Sequence, residues 1–184
     1  MNSLFLKYKK KGIHSSGPDF PPLLTMTKPL SFALLFVLAA SCTPNAALPA
    51  QEKAEINKML DDWHDAASKA DEERYFGHFA KEAVFLGTDA TERWDVPAFR
   101  AYAHPYFSQG KAWSFHAVRR DVTLGESGGA WFDEALDTPN LGPARGSGVL
   151  LKDQSGQWKI AQYNLSVPIP NERFAEVKKL LESR

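Results

Sequence analysis

The sequence has one cysteine, Cys42, in 184 residues. A single thiol excludes an internal disulfide and any zinc site built from cysteines. An excess of either charge is also missing: 22 basic and 22 acidic side chains balance, and beyond Cys42 there is no run of Lys or Arg. Nucleic acid is bound through a clustered positive field, so it is not an expected partner. No Gly-rich phosphate loop occurs; "RGSG" at 145–148 lacks the lysine and the following helix that such a loop needs. There is no Gly-x-Ser-x-Gly elbow. No two histidines have the spacing of an HxxxH ligand pair, so no metal is expected, and nothing in the sequence asks for a cofactor. His64, His78, His104 and His116 each stand alone. A lone histidine is more often a surface or hydrogen-bonded residue than a catalyst, and His116, on a strand, is the one expected to face a pocket.

A membrane-spanning run is missing too. "LSFALLFVLAASC" (30–42) carries about 12 apolar residues. At ~1.5 Å per residue it would span ~18 Å as a helix, short of a ~30 Å hydrocarbon core. That length suits a signal-peptide core, and Lys28 supplies the positive charge before it. Leu38 to Cys42 resembles a bacterial lipobox, with Ala39 where leucine is usual. The resemblance implies acylation of Cys42; the alternative is an ordinary signal peptide with a leftover cysteine. Starting at Met26, the segment is a compact signal, whereas residues 1–25 look like neither a signal nor a domain and suggest that Met1 is a misassigned start. "TPNAALPA" (43–50) is small and proline-punctuated, as a tether is. The expected organisation is a signal at 26–41, a tether at 42–51 and a domain at 52–184. Thr43 after the cysteine, in place of a retaining Asp, implies by resemblance to Gram-negative lipoproteins an outer-membrane protein facing the periplasm, held to the membrane by lipid only.

Within the domain, Ile56, Met59, Leu60, Trp63 and Ala67 recur at helical spacing. "DEERYFGHFA" suggests a second short helix, and "AVFLG" (83–87) a strand. Asp95, Pro97 and Gly110 mark the cap, first turn and end of another helix, with Pro105 expected to kink or end it. Four long strand patterns follow, within 112–125, 130–138, 145–153 and 157–169, separated by turn residues. A final helix has Phe174, Val177, Leu180 and Leu181 on its apolar side. Helices followed by long antiparallel strands make an α+β plan, in which a twisted sheet wraps the leading helices into a cone open at one end. Such a cone is a natural small-molecule pocket.

"AVFLGTDATERW", "WFDEAL" and "RGSGVLLKDQSGQWKIAQYNLS", in this order of elements, resemble the nuclear-transport-factor-2-like superfamily, in particular its SnoaL-like branch. The resemblance implies a conical antiparallel sheet wrapped around N-terminal helices, a pocket, and frequent dimerisation through the outer sheet face. The superfamily includes ketosteroid isomerase, polyketide cyclases, dehydratases and members that only bind, so fold alone does not give function.

Asp89 sits near the place of the isomerase's general base, with Phe85, Trp63 and Trp94 as an apolar wall that would raise its pKa. The competing reading is that Asp89 and Thr91 cap a turn. Alternation through "AWFDEALD" puts Ala130, Phe132, Glu134 and Leu136 on one face, expected to be the inner one. A buried Glu134 needs a partner, and Arg145 is the candidate. Strict alternation also groups Trp158, Ile160, Gln162, Asn164 and Ser166, which would carry Gln162 and Asn164 toward the open end. Relatives often have histidines at those two places; amides orient a ligand but do not exchange protons near neutral pH. The expected ligand site therefore comprises Trp63, Phe85, Thr88, Trp94, Arg145, Gln162 and Asn164, and the candidate catalytic groups are Asp89, Glu134 and His116. Two functions remain open: a lipid-anchored binding domain for a small, mostly apolar molecule, or an isomerase, cyclase or dehydratase using a carboxylate base. A plain interaction domain is the third reading if bulky side chains fill the cone.

Overall fold

The protein is described by a computed structural model covering residues 47–183. The segment expected to be a signal, Met26 and Cys42 lie outside the described residues. Helix α1 (Ala47–Ser68) starts inside the segment expected to be a tether. Pro49 allows this, because a first-turn proline gives up only an N–H that has no helical partner. Ile56, Leu60, Trp63 and Ala67 form the buried stripe that their spacing predicts, and His64 is buried beside them.

Helix α2 (Glu72–Gly77) is capped by Asp71, whose side chain accepts from the Arg74 N–H. Strand β1 (Phe79–Leu86) and the short β2 (Arg93–Asp95) follow. Asp95 then caps helix α3 (Val96–Ser108), accepting from the Ala98 N–H at 2.8 Å. The helix runs through Pro105 to Ser108. Gly110 beyond it has φ 66°, the left-handed conformation that favours glycine.

The long strands are β3 (His116–Leu124), β4 (Gly129–Asp137), β5 (Ala144–Lys152) and β6 (Trp158–Ser166). The single sheet has the order β2-β1-β6-β5-β4-β3. All neighbouring pairs are antiparallel except β1 with β6, which is parallel. Helix α1 packs on β3 and α3 on β1 and β2, giving the α+β cone. Helix α4 (Phe174–Glu182) buries no side chain, and Phe174, Leu180 and Leu181 remain exposed.

Two extra residues set which side chains enter the cone. Ala117 pairs with Leu136 and Arg119 with Ala135, so Val118 is a bulge in β3. Ala117 faces inward, and after the bulge Arg120 does too, opposite Glu134. In β6, Ile160 pairs with Leu150 and Gln162 with Val149, leaving Ala161 as a second bulge. Beyond it the buried residues are Tyr163 and Leu165. Gln162 and Asn164 are therefore turned to the opposite face, against the expectation from strict alternation. His116 likewise is exposed at the start of β3, because the bulge breaks its phase with Arg120.

Candidate functional site

The cone is filled at its centre and hollow at its mouth. Trp63, Tyr75, Phe76, Phe79, Phe99 and Phe107 form a dense aromatic core. Trp63 stacks on Tyr75 with ring centres 5.3 Å apart and meets Tyr163 edge-on at 4.7 Å. Trp63 is thus 1 % exposed core and not a wall of the cavity.

Above this core lies a buried polar cluster. Glu134 has no exposed surface and faces inward as the alternation predicts. Its Oε1 accepts from Tyr163 Oη at 3.0 Å and lies 2.9 Å from His64 Nε2. An ionised carboxylate only accepts, so His64 carries its proton on Nε2. Its Oε2 accepts from Arg120 Nε at 2.8 Å. Arg120 is the partner, not Arg145, which is exposed on the outer face at the start of β5. Arg120 Nη1 reaches on to Asp61 at 2.7 Å, tying β3 to α1. Burial pushes the Glu134 pKa up, but the His64 hydrogen bond and the charge and hydrogen bond of Arg120 outweigh it and hold it below the ordinary value. Burial, reinforced by the Glu134 carboxylate, raises the Tyr163 hydroxyl well above its usual value, so it stays a donor.

Glycines make room for this cluster. On β5 the inward row is Ala144, Gly146, Gly148 and Leu150. A Cβ on Gly146 would overlap the Tyr163 hydroxyl and come within 2.7 Å of Glu134 Oε1; one on Gly148 would come within 2.8 Å of the Phe132 ring.

The mouth holds a cavity of about 260 Å³. Phe85, Gly87, Thr88 and Glu92 line it from the end of β1 and the loop after it, and Trp94 from β2. Phe99 and Tyr102 come from α3, Trp113 and Phe115 from the segment before β3, and Asn140, Leu141 and Leu165 close it. Trp113 and Phe115 precede the strand expected to contain them, because β3 starts at His116. Phe85 and Phe115 separate the cavity from the polar cluster: Phe115 packs on His64 at 6.0 Å and Phe85 on Tyr163 at 5.5 Å. Larger hollows, of about 520 and 540 Å³, run along the outer side of α1 past Glu55, Met59 and Asp62, between charged side chains and apolar stems. They lie more open to solvent and carry no aromatic wall like that of the mouth cavity, so they fit a ligand pocket less well.

The carboxylate at the mouth is Glu92. Asp89 is exposed, does not line the cavity, and uses its Oδ1 to accept from the Thr91 N–H at 2.8 Å and the Thr91 hydroxyl at 2.6 Å. That is the turn-capping role. Glu92 folds back so that its Oε2 accepts from the Asp89 N–H at 3.1 Å. The carboxylate lies over Gly87, where a Cβ would overlap it. Glu92 stands in the quoted motif, yet nothing in the local pattern tells which of its two acids turns inward; Gly87, leaving the space, is the one clue.

Of the residues expected at the site, Phe85, Thr88 and Trp94 meet at the cavity; Trp63, Arg145, Gln162, Asn164, Asp89, His116 and Glu134 do not line it. His78 is hydrogen-bonded to Asp62 at 2.9 Å and His104 to Glu72 at 2.8 Å, so both serve local side-chain contacts. Among the described residues no group of three His, Cys, Asp or Glu side chains is arranged to hold a metal ion.

A SnoaL-like domain profile matches residues 56–170. The chain belongs to the SnoaL-like domain family. This SnoaL-like domain is also similar in fold to solved structures of low identity. A nuclear-transport-factor-2-like protein of unknown function from Pseudomonas putida KT2440 has 15 % identity and a TM-score of 0.56, over 67 % of this chain and 91 % of its own. A protein of unknown function from Mycobacterium tuberculosis has 16 % identity and a TM-score of 0.60, over 73 % and 82 %. A proposed scytalone dehydratase from Novosphingobium aromaticivorans DSM 12444 has 12 % identity and a TM-score of 0.58, over 67 % and 88 %. No curated protein matches the sequence.

Proposed function

We propose that this SnoaL-like domain binds a small, mostly apolar ligand in its mouth cavity, as a lipid-anchored protein of the bacterial envelope that pairs with a second copy through the outer sheet face. The observation that carries the binding reading is the wall itself. Six aromatic side chains line a space of about 260 Å³, with Thr88, Glu92 and Asn140 as its polar side chains. A dry apolar cavity of about 150 Å³ already accepts benzene, so this one suits a ligand of one or two rings. No histidine lines it, and an acid–base couple is not assembled there.

The test is titration of the full chain with 3-tert-butylphenol by calorimetry. Saturable one-to-one binding is expected, weakened at least tenfold in Trp94→Ala. A Trp94→Ala titration identical to the native one overturns the reading, as does absence of saturable binding by both this probe and a cationic probe of the same shape.

The envelope address rests on the apolar run and Cys42. Cys42→Ser should move the protein from the membrane fraction to the soluble fraction, read by fractionation and immunoblot; a variant that stays membrane-bound removes the anchor.

A second reading is favoured by Glu92. A carboxylate held over Gly87 beside aromatic walls is placed as a general base would be, which suits an isomerase, cyclase or dehydratase.

A further inference from the structure

Glu92 is the one charged side chain lining the mouth cavity. It forms no ion pair among the described residues; its hydrogen bond is to the Asp89 N–H. No Lys, Arg or His lines the cavity, and the adjacent Arg93 is exposed. Elsewhere in this molecule partly buried carboxylates are matched by cations: Glu134 by Arg120, Glu72 by Arg100, Asp62 and Asp65 by Arg74. Glu92 is the exception, and it is the carboxylate at the cavity.

Its surroundings are rings. Trp94 stacks with Tyr102 at 4.7 Å and with Phe99 at 5.5 Å, and Trp113 lies 5.9 Å from Phe99. A negative charge set among electron-rich aromatic surfaces, with no resident cation, attracts positive charge by two routes, the Coulomb attraction of the carboxylate and the ring quadrupoles. A neutral apolar guest would fill the same volume yet leave Glu92 partly desolvated without a partner, at a cost. A carboxylate guest would be repelled.

We propose that the mouth cavity selects an organic cation: an amine or quaternary ammonium carrying apolar substituents of one or two rings' bulk. This rests on the reading of the cavity as a ligand site and names the ligand's charge.

The test compares two probes of the same shape, 3-(trimethylammonio)phenol and its neutral carbon isostere 3-tert-butylphenol, titrated into the full chain by calorimetry. The cation is expected to bind at least tenfold tighter, and its affinity to fall as salt is raised. Glu92→Gln, which keeps the shape and removes the charge, should bring the two probes to within about threefold, with the cation weakened and the neutral probe bound no more weakly than before. Circular dichroism of the variant checks that it is folded, and Glu92→Asp, which keeps the charge on a shorter arm, should retain part of the preference. Equal affinities in the native chain, or a preference that survives Glu92→Gln, overturn the proposal while leaving the cavity a ligand site. Failure of both probes to bind overturns the cavity reading and this one together.

Discussion

Glu134→Ala is expected to destabilise the domain by about 3–5 kcal/mol, the cost of removing one partner from a buried ion pair. Small domains are stable by only about 5–15 kcal/mol, so this is a large part of the total. The size comes from what is left behind. Arg120, its side chain 6 % exposed, would lose the acceptor at its Nε and keep only the contacts that Nη1 makes with Asp61 and Asn57. Buried His64 and Tyr163 would lose their acceptor in the same step. Urea unfolding should show a lower midpoint with an unchanged slope. Replacing Glu134 and Arg120 together by Leu and Met should cost much less than Glu134→Ala alone, because no buried charge is stranded.

A pH dependence accompanies this. The native pKa of Glu134 lies below the value of 4.5 taken for an unperturbed glutamate. The folded protein therefore holds this proton less tightly than the unfolded chain. The stabilisation is fully present above about pH 4.5 and is lost as pH falls through the native pKa. In Glu134→Gln that part of the acid-side loss should be absent.

Glu134 illustrates what the sequence makes legible. Period-two alternation with Phe132 and Leu136 identifies it as inward, and the cost of burying an unpaired carboxylate demands a cation nearby. Which cation is not legible, for a physical reason. Counting alternate residues works only while the ladder keeps its register, and one added residue reverses the faces beyond it. Val118 does this in β3, bringing Arg120 inward and leaving His116 outside. Ala161 does it in β6, bringing Tyr163 inward and turning Gln162 and Asn164 away. Neither position carries a glycine or proline to announce it. The adjacent "RR" at 119–120 offers the missed signal, since in a half-buried strand one of two neighbouring arginines must face the core side. The loop from Gly87 to Glu92 is opaque for another reason. Whether Asp89 or Glu92 turns inward depends on a compact turn in which each takes a different backbone or side-chain donor.

The division of labour between the two acids follows. Glu134 is walled off by Phe85 and Phe115, is saturated by three donors, and holds the sheet to α1. Glu92 borders an open space with one backbone donor. Substitutions at Glu134 should therefore act first on stability, and those at Glu92 on the ligand.

Gly146→Ala is expected to cost about 2–3 kcal/mol, at the upper end of what one added methyl does to a well-packed core. The strand conformation of Gly146 suits any residue; the obstacle is space. The new Cβ would overlap the Tyr163 hydroxyl and stand 2.7 Å from Glu134 Oε1. Tyr163 cannot retreat readily, because its ring is held against Trp63 at 4.7 Å and Phe85 at 5.5 Å. Moving the hydroxyl would also break its bond to Glu134. The cost should therefore depend on that one oxygen. In a Tyr163→Phe background, which already lacks the hydroxyl, Gly146→Ala should cost at least about 1 kcal/mol less than in the native chain, a coupling within the range found for touching residues. Gly77→Ala, where a Cβ meets nothing within 4 Å, is the control and should change stability by less than about 0.5 kcal/mol. Additive costs for Gly146→Ala and Tyr163→Phe in urea unfolding would show that β5 yields at this point, and the tight seating of the buried cluster would have to be abandoned.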